Sequence, residues 1–257
     1  GGGGYNGNLI NQGTTAFDHV VSELGWRGLL SGGGSVTITE SAFNLNIWDG
    51  AMASGTAVTV TDSVFMSNTN GDGLGVTGGS LLAMGNLFAA NAGGLTANGG
   101  SLIVSGNTIS QNSGSGVIAQ NIHAPVITGN EVVSNTSYAI HARAYGLALN
   151  TGQIQSNTLT GNGLNGVALG GEFSGASVLV KVPEVVYGIA GLTVNGDGSL
   201  LVEAGNVVKF IDSQSLHVYG TLTVAGTVSE PVVFTSIHDD AWGGDTNSNG
   251  NASGPAA

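Results

Sequence analysis

The chain has 257 residues, with four Lys and Arg against 16 Asp and Glu and a formal net charge of −12. So acidic a chain argues against nucleic acid and anionic membranes as partners, because both need a basic surface. The absence of cysteine excludes disulfides and thiolate metal sites, and no run of 18 apolar residues offers a transmembrane segment.

Residues 1–5 lack the basic and apolar parts of a signal peptide, so a mature chain or a section of a longer one is expected. Residues 36–43, 58–65, 81–88, 102–109, 125–132 and 152–159 are then copies of one segment. Their closing apolar residues are Phe43, Phe65, Phe88, Ile109, Val132 and Leu159, at spacings of 22, 23, 21, 23 and 27, with Phe17 expected as an earlier member. Three residues after each stands an asparagine: Asn46, Asn68, Asn91, Asn112, Asn135 and Asn162. A repeat of this length is one coil of a solenoid, whose short strands bury a core only by stacking. The prediction is an all-β parallel β-helix. Helix is disfavoured, since apolar residues do not recur at helical spacing and 46 glycines would make long helices costly. The asparagines fit a turn needing a left-handed backbone or a side-chain bond, and in register they form a structural ladder.

Near residue 178 the pattern changes. Strands at 192–194, 200–202 and 208–210 are followed by strands at 216–218, 222–224 and 232–234, offset by 24, 22 and 24 residues. The expected division is therefore coils over 1–177, coils of a second type over 178–236, and a Gly/Asn/Asp-rich loop and linker over 237–257.

The first 175 residues resemble the right-handed parallel β-helix repeats of the pectate-lyase-like superfamily, most closely in the Gly-Asn-x-apolar copies at 106–109 and 129–132. Residues 183–250 resemble a segment of large bacterial surface β-helix proteins. Gly-Thr-Leu-Thr-Val-Ala-Gly-Thr at 220–227, Pro-Val-Val-Phe-Thr-Ser at 231–236 and the Asp-Asp and Gly-Asp-Thr-Asn-Ser-Asn-Gly that follow carry the likeness. The resemblance implies right-handedness, coils of roughly 22–24 residues, and an extracellular or cell-surface setting in bacteria. In that family the second kind of segment opens a β-helix, whereas here it closes the chain. A window onto a longer array, or a unit that joins copies of itself end to end, accounts for that order. A structural role in a fibre, stalk or adhesin is therefore expected, with polysaccharide binding or cleavage as the alternative.

One motif carries site chemistry. Asp245, Asn247 and Asn249 occupy the first, third and fifth places before Gly250, as at the start of a Ca²⁺ loop. The twelfth place is Ala256 instead of a bidentate Glu, so Asp239, Asp240 and the Asn251 carbonyl are the expected remaining ligands. A ligand patch is expected at Tyr138, His141, Arg143 and Tyr145, since in a strand 141, 143 and 145 share one side. No catalytic residue is assigned. Arg27, Arg143, Lys181 and Lys209 show no acidic cluster beside them in sequence, and Asp239–Asp240 is the sole adjacent carboxylate pair suited to glycoside hydrolysis.

Overall fold

The computed structural model describes residues 7–250; Asn251 and Ala256 lie outside the described residues. Among the described residues every regular element is a strand, and the strands join in parallel into one sheet of 13 and two of seven. Each of the first seven coils adds one strand to each sheet. The first sheet runs from Leu9–Asn11 through Leu29–Ser31 to Tyr138–Leu147, the second from Thr15–Asp18 to Ile154–Gln155, and the third from Val21–Glu23 to Thr158–Thr160. Alternation decides which side chains face inward: Val36 and Ile38, Val58 and Val60, Leu81 and Ala83, and Leu102 and Val104 are buried in successive strands of the second sheet.

The apolar column is in register from Phe43 through Phe65, Phe88, Ile109 and Val132 to Leu159. The first five are fully buried, and Leu159 is partly buried at the open edge of the third sheet. The phenyl rings of Phe43, Phe65 and Phe88 stack at 5.3 and 5.0 Å. Phe17 is not a member. It belongs to the second sheet opposite Ile38, and the residue preceding Phe43 in the column is Ser22. Phe17 still reaches the core, meeting Phe43 edge-on at 6.5 Å.

Both turns flanking the third sheet use a left-handed residue in every coil. Before that sheet the column is His19, Glu40, Asp62, Gly85, Gly106, Gly129 and Ser156; after it comes Leu24, Leu45, Ser67, Ala90, Gln111, Ser134 and Gly161. The ladder asparagine follows the left-handed residue and does not itself adopt that conformation, so its contribution is the side-chain amide. Each Nδ2 donates to the Oδ1 of the next coil: Asn46 to Asn68, on to Asn91, Asn112, Asn135 and Asn162, at 2.8–3.2 Å. From Asn68 onward each Nδ2 also donates to the carbonyl of a column residue one coil back, such as Phe43 or Phe65. These buried amides therefore leave little hydrogen-bonding capacity unused.

A second ladder lies at the other turn. Asn86, Asn107, Asn130 and Asn157 are linked at 2.9 Å. Hydroxyls begin it, as Ser41 N donates to Ser63 Oγ and Ser63 N to Asn86 Oδ1.

The second and third sheets stop after residue 160, and only the first continues. Leu164–Leu179 and Tyr187–Glu203 are long strands that bend at bulges, with left-handed glycines at 171, 175 and 191. Tyr187, fully buried, shares a 2.7 Å hydrogen bond with the Thr151 hydroxyl and donates to Val180 O, and burial pushes its phenol up to about 12. Leu216–Val218 and Thr221–Ala225 pair with Tyr187–Glu203 at the expected offsets of 24 and 22 residues. The third pairing differs. Val208 lies opposite Phe234, two residues beyond the expected Val232, because Asn206 holds the Val233 N–H directly above it. Outside the main core, Leu164, Ala168 and Ile237 form a second cluster with Tyr138, Ala190 and Ile211.

Candidate functional site

His141, Arg143 and Tyr145 project from the outer face of Tyr138–Leu147, since the intervening Ala142 and Ala144 are fully buried. The Tyr138 ring meets His141 edge-on at 4.8 Å. Next to them the chain forms a shallow pocket of about 340 Å³, floored by Gly170 and Gly171 and rimmed by Glu172 and Thr193. Glu172 stands opposite Tyr145 in register, a neighbour that sequence spacing did not reveal because a bulge falls within this coil. The Nε2 of His141 and the Nε of Arg143 are buried without a hydrogen-bond partner among the described residues. Burial, and after it the Arg143 charge, pushes the His141 imidazole down to about 4, so it is neutral at physiological pH. The pocket can offer a guanidinium, an aromatic face and a carboxylate to a polar ligand.

The C-terminal loop is built differently from the expected metal loop. Asp245 turns both carboxylate oxygens onto its own loop, accepting from Asn249 N at 3.1 Å and Gly250 N at 2.9 Å. Asp239 accepts from the Thr235 hydroxyl and from Ala241 N, and the Thr235 bond above all holds its carboxyl below the usual range. The Asn247 amide nitrogen lies 3.3 Å from His238 Nδ1, and its Oδ1 is buried without a hydrogen-bond partner among the described residues. Asn249 is exposed. The cation among these groups is Lys209. Its side chain is fully buried, and Nζ donates at 2.8 Å to Gly244 O and to Thr246 Oγ1. Burial lowers its pKa, while the charges of Asp240, Asp239 and Asp245 act in the opposite sense. The expectation that no basic residue stands in an acidic cluster is thus overturned, because the fold brings Lys209 to acids 30 to 36 positions away in sequence.

The same loop closes the first ladder. Asn162 donates to Asn165 Oδ1 at 3.1 Å, Asn165 donates to Ser248 Oγ at 2.9 Å, and Ser248 donates back to Asn162 O at 2.8 Å. Among the described residues no three His, Asp or Glu side chains are grouped to hold a metal ion. Ca²⁺ takes six to eight oxygens, so the expected set is a poor fit: its two best carboxylates already accept hydrogen bonds, and an ammonium lies among them.

A further charged stack was missed in the sequence. Arg27 pairs with Asp49 at 2.7 Å, and Asp49 Oδ1 accepts from Asp72 N at 3.1 Å in the next coil. Burial raises the Asp72 carboxyl, with Asp49 adding to the effect against a Thr96 hydrogen bond. The signal was present, since 27, 49 and 72 follow the spacing of the apolar column. Trp26 and Trp48 repeat the same interval, and their rings meet at 6.1 Å.

No curated protein and no solved structure matches the chain. Residues 28–179, more than half of it, match the family model described as right handed beta helix region. That stretch spans the coils carrying both asparagine ladders and the stacked apolar column, and the chain belongs to the right-handed β-helix family.

Proposed function

We propose that this chain is a structural segment of an extracellular or cell-surface fibre, stalk or adhesin, extended by further coils at its ends. The observation that carries the reading is the state of the two ends. Among the described residues, Leu9–Asn11, Thr15–Asp18 and Val21–Glu23 pair on one side only, with Leu9 and Phe17 partly buried against the core. At the other end Leu159, Leu216 and Leu222 are likewise partly buried, and Val218 and Val224 are exposed. Such edges present unpaired backbone groups and incompletely covered apolar side chains, which a further coil would satisfy. A second copy of this chain or an adjoining block of a longer one can supply it. Few charges, much glycine and no cysteine agree with a surface repeat protein of bacterial type.

Electron microscopy and light scattering over a rising concentration series test this. Open-ended oligomers that shorten in a Val224→Lys variant are expected; a monodisperse monomer throughout, with native circular dichroism, overturns self-assembly.

The pocket at His141, Arg143 and Tyr145 favours a second reading, binding of a polysaccharide. Its support is the pair of buried nitrogens without partners among the described residues. Glycan-array binding that Arg143→Ala abolishes would support it, and the same binding in the variant would count against it.

A further inference from the structure

We infer that residues 237–250 form a strap fastened by the Lys209 ammonium, which does the work a bound Ca²⁺ would otherwise do in this acidic loop. Three independent contacts support the assignment. Lys209 lies on the outer side of the first sheet, because the neighbouring Val208 points into the core. Its fully buried Nζ grips Gly244 O and Thr246 Oγ1, the residues on either side of Asp245. The backbone of Thr246 then accepts from Asn165 N at 2.7 Å, and Ser248 closes the ladder through Asn162 and Asn165.

The charges decide between an ammonium and a metal. Asp239, Asp240 and Asp245 all act on Lys209. A buried ammonium is tolerated where opposite charges and hydrogen bonds compensate it, and here both are present. A divalent ion placed among the same carboxylates would be repelled by the ammonium and would compete with the loop N–H groups that Asp245 already accepts. The strap also covers apolar surface. Ile237 at its start packs on Leu164 and Ala168, and Gly243 approaches Val186 so closely that a Cβ there would lie 2.6 Å from a Val186 methyl. Its purpose is therefore to shield the outer face of the first sheet where the second and third sheets have ended.

Hydrogen exchange and limited proteolysis of the whole chain, in chelator and in added Ca²⁺, test the inference. Protection of 237–250 in the wild type should be the same in both conditions. Lys209→Met should raise exchange in that segment by about tenfold or more while strands of the central coils keep theirs. Should Lys209→Met not fold, Thr246→Val removes one of the two ammonium contacts from the strap side and should loosen the segment by a smaller factor. Chelator-induced opening of the wild-type strap, or unchanged protection in the foldable variant, overturns the inference.

Discussion

Asn135 donates to Asn162 at 2.9 Å although 27 residues separate them, four or more beyond every earlier step of the ladder. The additional length is taken up in and after Tyr138–Leu147, whose pairing carries two register shifts. The turn therefore tolerates insertion elsewhere in the coil but holds the amide stack in place.

Removing an interior rung should be costly. Asn112→Ala deprives Asn91 of its acceptor and leaves Phe88 O without its donor. A loss of about 2–4 kcal/mol is expected, since each buried orphaned group costs roughly 1–3 kcal/mol. Asn46→Ala, at the start of the stack, should cost less. Denaturant unfolding of both variants checks the order; equal losses would speak against a cooperative ladder.

The apolar column gives a graded test. Phe65→Ala leaves a cavity between two stacked rings and should cost about 3–5 kcal/mol. Leu159→Ala should cost distinctly less, because Leu159 is only partly buried at the edge. Urea midpoints in the reverse order would show that the third sheet does not end at Thr158–Thr160.

Gly171 has φ +91°, and a Cβ built there would stand 2.3 Å from the Ala144 carbonyl oxygen. Gly171→Ala should therefore destabilise by roughly 1–3 kcal/mol. Gly106→Ala, left-handed but with open space around its Cβ position, should cost less. Thermal unfolding of the pair separates backbone strain from steric collision.

His141 sets a pH dependence. Its folded value is about 4 against 6.5 for the free imidazole. Between those values the unfolded chain binds the proton and the folded chain does not, so stability falls as pH falls through that window and is insensitive to this group above it. The slope approaches roughly 1.4 kcal/mol per pH unit at most. His141→Gln should remove that slope from urea unfolding at about pH 7 and about pH 5. A variant with the wild-type slope would place the titration elsewhere.

The architecture was legible because each coil repeats the same local instruction. Phe43 to Leu159 and Asn46 to Asn162 are spaced by sequence alone, and three-dimensional register follows once coils stack. Phe17 misled, being aromatic at a similar interval but one sheet away, where its ring still reaches Phe43. The second ladder was obscured because serines open it, and Ser63 differs in type from Asn86 while serving the same N–H acceptor role. Lys209 was illegible for a different reason. Its partners at 239, 240 and 245 reach it through a returning loop whose path no repeat encodes.

The two ladders also give the molecule a direction. In both, every Nδ2 points toward the next coil and every Oδ1 toward the previous one. Their amide dipoles align and add instead of cancelling, as peptide dipoles do along a helix. In a chain with so few ionised groups in its coils, that alignment amounts to an electrical polarity along the axis. Joining two copies head to head would oppose like ends, whereas head-to-tail joining continues both rows. Any fibre built from this unit is thus expected to be polar, with two chemically different tips.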